Sequence, residues 1–380
     1  MNPVLGRDID HTGHHLRNRL YRRTKAGHII RLANDRGQGQ KSGQRHIFKI
    51  HITPDPIIQI SDVDLYNSQE GLALSSEEID YLIKLSKKIG RKLTDSEVFG
   101  FSQVNSEFDG SRAFSHIEKQ VLFGPRSITH PNSKNLTHDY IVNNLKRYTD
   151  KVTSQEFTAY GLIGRNIWAT FPGEKSPDIR IMIGAHWDTR PQSELDENKA
   201  NLKTPTSVAK DGGSGVAVLL ELARALTFDR SPTTVDLVFF DLEDLGNIDD
   251  LPFAIGASEF VKKNSFYRPN KGVIVDMVCD EDLLIPKELY SKRHSRQLLE
   301  EIWSIGEELN VNIFSDKDGT FIQDDHLPFI RSGLNVVNLI HYPFPDYWHT
   351  TRDTIDKCDN ESLSQIGNVI LTLIYKQDKT

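Results

Sequence analysis

Along the last three-quarters of the chain the spacing of apolar residues switches back and forth between two periods. Ile179, Ile181 and Ile183 recur every second residue and run into Gly-Ala-His186, the pattern of a strand ending at a polar edge. Val235-Asp-Leu-Val-Phe-Phe240, Gly272-Val-Ile-Val-Asp276 and Asn335-Val-Val-Asn-Leu-Ile340 predict three more strands. Around them the spacing lengthens to a helical period. Phe114, Ile117 and Val121 mark one face, and Ile141, Leu145 and Tyr148 another. Val216, Leu219, Leu220 and Ala223 mark a third, and Leu363, Ile366, Ile370, Leu373 and Ile374 a closing helix. Alternating strands and helices imply an α/β sheet with helices on both faces. In such sheets a site forms outside the carboxyl ends of the strands. No internal repeat is apparent.

The beginning of the chain has a different character. Residues 1–50 are basic, rich in histidine and poor in apolar periodicity, and Gly-Gln-Gly-Gln-Lys-Ser-Gly-Gln at 37–44 reads as loop. A solvated, partly disordered arm is expected, with His11, His14 and His15 an incidental exposed cluster rather than metal ligands. From residue 70 helical signals appear. Ser75 or Ser76 can cap a helix through Leu85, and Thr94-Asp-Ser-Glu opens a second in the same way. The chain therefore divides into a basic segment at 1–69, a short helical segment at 70–107 and a large domain at 108–380.

Composition narrows the function. With 37% apolar and 26% charged residues over 380, a soluble globular protein is expected. The net charge of -7 argues against a nucleic-acid partner, although residues 1–50 carry an excess of basic residues. Cys279 and Cys358 are too few for a disulfide framework and fit a reducing compartment or buried thiols. The amino terminus has no apolar signal region, and no apolar run approaches the ~20 residues that span a bilayer. These features predict a cytoplasmic protein without a membrane partner. Nothing in the sequence sets an oligomeric state.

The predicted strand ends carry the chemistry. His186-Trp-Asp188 follows the first strand, and Asp241-Leu-Glu243-Asp244 the second; Asp276 ends the third. Asp211-Gly-Gly-Ser-Gly opens a helix, and Asp324-Asp325-His326 and Trp348-His349 lie further on. An aspartate before a helix is ordinarily an N-cap, but a cap does not need that density of glycines, which let backbone approach a ligand closely. Adjacent acids are ordinary on an exposed helix and costly at a buried strand end, unless a cation or hydrogen bonds compensate. A lone histidine beside a tryptophan is more often structural. Joined to Asp211 and Asp244, His349 completes a three-ligand zinc site with an open position. Asp188 can orient His186 as a supporting partner. His186 and Asp276 make room for a second zinc, so His186 is a ligand if there are two ions and a support if there is one.

Taken in order, these motifs resemble the glutaminyl cyclase (glutaminyl-peptide cyclotransferase) branch of the zinc aminopeptidase superfamily. The likeness runs over residues 108–380 and includes Phe108-Asp-Gly-Ser-Arg-Ala-Phe, Phe123-Gly-Pro-Arg and Pro343-Phe-Pro-Asp-Tyr-Trp-His. It implies a twisted mixed sheet flanked by helices. It also implies zinc on Asp211, Asp244 and His349, with Glu243 as general acid/base. Asp276 and Asp324 become hydrogen-bonded aspartates of the cyclase site, and Trp348 a wall of the substrate pocket. Asp244 stands where animal cyclases have glutamate. The partner implied is a peptide or protein with N-terminal glutamine, converted to pyroglutamate with release of ammonia. Two other readings remain: a zinc aminopeptidase, in which Glu243 activates water, and an inactive fusion product. In the fusion reading residues 1–107 disturb or mask the domain; the missing signal motivates it, because relatives of the cyclase branch usually work outside the cytoplasm. Residues 70–107 resemble the linker helices of phosphoribosylformylglycinamidine synthase. That family continues with His-Cys-Arg-His, whereas this chain has Phe108-Asp-Gly-Ser-Arg, so no purine-synthesis activity is carried over.

Overall fold

The structure is a computed structural model that describes residues 58–70, 76–98, 108–206, 209–228 and 230–376. The arm read at 1–50, with its histidine cluster, lies outside these residues. The chain divides into two compact units, residues 1–101 and 102–380, each taken by itself below.

The described part of the first unit contains α1 (Val63–Glu70) and α2 (Ser76–Ile89). Ile60, Val63, Leu82, Leu93 and Val98 are buried and give it a small core. Thr94 and Glu97 cap the following turn reciprocally. The Glu97 amide donates to Thr94 Oγ1 at 3.2 Å, and the Thr94 amide donates to Glu97 Oε2 at 2.9 Å. The helix start read at Thr94 is therefore present, and its continuation past residue 98 lies outside the described residues.

The second unit is built around a six-stranded mixed sheet. Two helices precede it: α3 (Gly110–Phe123), capped by Asp109, whose carboxylate accepts the amides of Ser111 and Arg112, and α4 (Pro131–Leu145). An antiparallel hairpin then joins β1 (Val152–Ala159) to β2 (Leu162–Phe171). Its two-residue turn is Tyr160-Gly161, both at positive φ (54° and 77°), the backbone that matches the twist of paired strands. β2 pairs antiparallel with β4 (Thr233–Phe240), and β4 pairs parallel with β3 (Ser176–His186). β3 is parallel to β5 (Lys271–Asp276), and β5 to β8 (Val336–Ile340).

The parallel strands are buried on both sides, which explains their nearly unbroken apolar runs. Ile181, Ile183, Val235, Leu237, Phe239, Val273 and Val275 join a core under α3, α5 (Gly213–Phe228) and α10 (Asn360–Tyr375). Met182, Val238, Phe240 and Ile274 face the other way, onto Phe260 of α6 (Ile255–Lys263) and Phe329 of α9 (His326–Arg331). The remaining elements are β6 (Ile285–Lys287), α7 (Leu289–His294), α8 (Arg296–Glu308) and β7 (Phe314–Asp318), with β6 and β7 paired in a small separate sheet. Among the described residues no helix is long and apolar enough to cross a membrane.

Cys279 and Cys358 correct one expectation. They are bonded to each other rather than present as thiols, across a separation of 79 residues. Such a separation leaves no spacing signal in a sequence. The pairing arises because the segment after β5 meets the approach to α10: Asp280 bridges to Cys358, and the Asp359 amide donates to the Cys279 carbonyl at 2.5 Å.

Residues 108–380 hold a complete two-sided core, so we expect them to fold without 1–107. A purified 108–380 protein with a cooperative melt checks this, and an insoluble or unfolded product would contradict the boundary.

Candidate active site

Strand register brings the candidate residues to one edge. His186, the last residue of β3, lies opposite Phe240, the last of β4, and Asp276, the last of β5, lies opposite Ile340, the last of β8. The four parallel strands thus end together, and the loops that leave them supply Asp188, Asp211, Glu243, Asp244 and His349.

Two sets of donors form there, and Asp211 belongs to both. Its Oδ1 is 3.1 Å from His186 Nε2, which is also 3.1 Å from Asp276 Oδ1. Its Oδ2 is 3.7 Å from His349 Nε2, which is 3.4 Å from Asp244 Oδ1. In each set one ligand atom per residue lies within 4.8 Å of the others, and all five side chains are buried. Gly212 makes the approach of the Asp211 loop possible. At φ +70°, a Cβ there would lie 2.6 Å from the Asp188 carbonyl oxygen and 2.8 Å from His186 Cε1. Leu242, Met277 and His349 also have positive φ (59°, 55° and 56°), although none is glycine. They precede Glu243, follow Asp276 and form one ligand, which is where backbone strain accumulates at functional sites.

A supporting layer holds these groups. The Asp188 carboxylate accepts the Glu243 amide at 3.0 Å and the Asp244 amide at 3.2 Å. Its Oδ1 also lies 3.6 Å from His186 Nδ1, an ion-pair distance rather than a hydrogen bond, so it faces His186 with its charge and in addition fixes the Glu243–Asp244 turn. Asp353 does the same for Asp211, accepting the Lys210 and Asp211 amides at 3.1 Å each. Glu194 Oε1 lies 3.0 Å from His349 Nδ1 and accepts from Arg190 Nε at 2.7 Å, while Arg190 Nη1 reaches Asp244 Oδ1 at 3.1 Å. Sequence reasoning singled out none of Arg190, Glu194 and Asp353. They sit in irregular loops, and only the fold brings them to the ligands.

Glutamine at position 194 would remove the charge that holds His349. We expect Glu194→Gln to weaken zinc binding about 10–100-fold in a chelator competition. Unchanged affinity would contradict the role.

Burial and mutual repulsion govern the charges. Burial raises Glu243 well above the usual carboxylate range; His186 opposes this, and Asp324, Asp325 and Asp244 add to it. Asp276 is pushed up to about 7, by burial first, with His186 opposing and Asp211 and Asp324 reinforcing. Burial lowers the affinity of His349 for a proton, yet Asp244, Glu194 and Asp211 outweigh it and bring the group to about 9. His186 is likewise held well above its normal value against burial, by Asp276, Asp188 and Asp211. The clustered carboxylates favour positive charge at this site, whether on an imidazole or a bound cation. One Asp244 oxygen, Oδ2, is buried without a hydrogen-bond partner. Carboxylate and imidazole donors of this kind, with an orphaned oxygen among them, fit zinc.

The other candidates surround this centre. Asp324 accepts from Asn338 Nδ2 at 2.6 Å and from the Asp325 amide at 2.5 Å. Asp325 is buried, and neither of its carboxylate oxygens has a hydrogen-bond partner. Trp348 stacks on His349 with ring centres 3.7 Å apart and on Phe344 at 4.3 Å. Tyr342, Phe344 and Trp348 pack on Met277, Ile322 and Ile340 and make an aromatic wall.

Residues 166–374 match the model of peptidase family M28. The chain belongs to that family. Residues 63–108 match the formylglycinamide ribonucleotide amidotransferase linker domain. Among solved structures, a glutaminyl cyclase from Tannerella forsythia is 34% identical, with TM-score 0.67, over 72% of this chain and 100% of that one. A Zn-dependent exopeptidase from Parabacteroides distasonis is 32% identical, with TM-score 0.67, over 71% of this chain and 99% of that one. Aminopeptidase YwaD of Bacillus subtilis is 28% identical over 214 residues, which are 54% of this chain and 42% of the aminopeptidase. The chain thus spans less than half the length of that curated relative. Cyclases and exopeptidases stand side by side among the relatives, and the M28 fold carries both.

Proposed function

We propose that the protein is a zinc-dependent glutaminyl-peptide cyclotransferase that closes N-terminal glutamine to pyroglutamate. The observation that carries this reading is the buried Asp324–Asp325 pair, close enough to Glu243 to raise it, in a site walled by Trp348 and Phe344. A carboxyl that burial and neighbouring acids hold at raised proton affinity suits a reaction that moves one proton within the substrate and takes up no water.

Zinc on Asp211, Asp244 and His349 would act as a Lewis acid on the side-chain carbonyl of the glutamine. Glu243 accepts a proton from the α-amino nitrogen as that nitrogen attacks the side-chain carbonyl carbon, and returns it to the departing amide nitrogen. A C–N bond to the α-nitrogen forms, the C–N bond of the amide breaks, and ammonia leaves. Asp276 and Asp324 hold the reacting amide, and Trp348 flattens the glutamine side chain against the wall.

A second reading also has an observation in its favour. The two donor sets that share Asp211 suit a pair of metals and a zinc aminopeptidase in which Glu243 is the base for water. Reaction in heavy-oxygen water separates the two. Cyclisation leaves the product unlabelled, whereas hydrolysis places the label in a new carboxylate, and label in the product would overturn the cyclase reading.

A further inference from the structure

Lys210 immediately precedes the shared ligand Asp211, yet its side chain belongs to neither donor set. It is 1% exposed. Its ammonium lies 2.5 Å from Asp280 Oδ2, 3.0 Å from His341 Nδ1 and 3.3 Å from the Tyr347 hydroxyl oxygen. An ammonium has three N–H donors, and here each one meets an acceptor on a different segment. Asp280 follows β5, His341 follows β8, and Tyr347 lies in the loop that carries Trp348 and His349. The Tyr347 hydroxyl donates to the same Asp280 oxygen, so lysine, aspartate and tyrosine close a triangle.

Each corner is anchored from behind. The Asp280 carbonyl accepts from Ser362 Oγ at 2.7 Å, and the neighbouring Cys279 is bonded to Cys358. The amides of Lys210 and Asp211 are held by Asp353. The Tyr347 carbonyl accepts the Thr350 amide at 3.2 Å and Thr350 Oγ1 at 2.6 Å, which closes a tight turn over Tyr347-Trp348-His349-Thr350. The Tyr347 ring and the His349 imidazole are therefore carried on one rigid turn, with Trp348 between them.

We propose that Lys210, with Asp280 and Tyr347, is a positioning clamp that sets His349 and Trp348 against Asp211. The clamp acts where two of the three loops that supply the ligands meet. Asp211 and Lys210 enter from the glycine-rich turn before α5, and His349 from the loop after β8. A buried ion pair at that junction fixes direction as well as distance, which apolar contact alone does not. In the proposed cyclase the same clamp sets the gap between the zinc ligands and the Trp348 wall, where the glutamine side chain would lie. The substrate part of the inference rests on the cyclase reading; the metal part does not.

The test uses the full-length chain with Tyr347→Phe, which keeps the ring and removes the hydroxyl, and Lys210→Met as the stronger variant. The first readout is the visible spectrum and metal release rate of the cobalt-loaded protein. The second is the split between KM and kcat on a glutamine-led peptide. The clamp predicts a shifted cobalt spectrum, about 10-fold faster metal release and a KM raised about 10-fold, with kcat changed less. Lys210→Arg, which keeps the charge and two directed donors, recovers part of each effect. If Lys210→Met fails to fold, Tyr347→Phe still decides. A wild-type cobalt spectrum, release rate and KM in Tyr347→Phe would overturn the clamp. If the wild-type protein releases no ammonia from glutamine peptides, the cyclase reading fails, and the cobalt spectrum and release rate still test the clamp.

Discussion

Glu243→Gln keeps its metal and loses at least ~10²-fold in turnover, the scale at which a positioned general base contributes. The side chain keeps its shape, and the Glu243 amide remains on Asp188, so the turn that presents Asp244 is unchanged. What disappears is the ability to take a proton from one nitrogen and give it to another. Burial and the neighbouring acids already hold this carboxyl unusually basic, and a glutamine amide has no comparable proton affinity. Zinc content by elemental analysis, with turnover measured on the same sample, checks both halves. Retained zinc with near-normal turnover would remove Glu243 from the mechanism.

Asp211→Asn has a wider effect. Asp211 supplies one oxygen to each donor set, Oδ1 beside His186 and Oδ2 beside His349. An amide offers one oxygen where the carboxylate offers two, and it carries no charge. We expect zinc to be lost at either occupancy, and activity with it. Asp244→Asn and Asp276→Asn each touch a single set, so comparing the three reports how many ions the working site holds. If Asp276→Asn keeps full zinc content while Asp211→Asn empties the site, one ion is sufficient. If Asp276→Asn halves the content, there are two. Full zinc content in Asp211→Asn would contradict the shared-ligand geometry.

The strands that build the site were legible because they are buried on both faces. Val235 to Phe240 and Gly272 to Asp276 read as apolar runs, and each ends where an acid begins. The β1–β2 hairpin was not legible: β1 alternates weakly, with Thr153, Ser154, Gln155 and Glu156 at its centre, and the turn signal Tyr160-Gly161 is only half glycine. His186, Asp211, Asp244, Asp276 and His349 could be ordered along the chain as candidates, since strand ends and glycine turns announce themselves. The structure then adds which oxygen faces which imidazole. The groups behind them had no such signal. Asp188 was visible as a neighbour of His186, and what its spacing could not show is that its carboxylate also holds the two amides of the turn after β4. Lys210 carries no signal in the sequence, and the convergence of three loops explains why it is buried. The Cys279–Cys358 bond depends on the same convergence.

Product analysis on a peptide that begins with glutamine tests the central claim most directly. The account predicts one ammonia released per peptide consumed, with the chain length unchanged and the amino terminus blocked as pyroglutamate. Release of free glutamine together with a peptide one residue shorter would contradict it and make the protein an aminopeptidase.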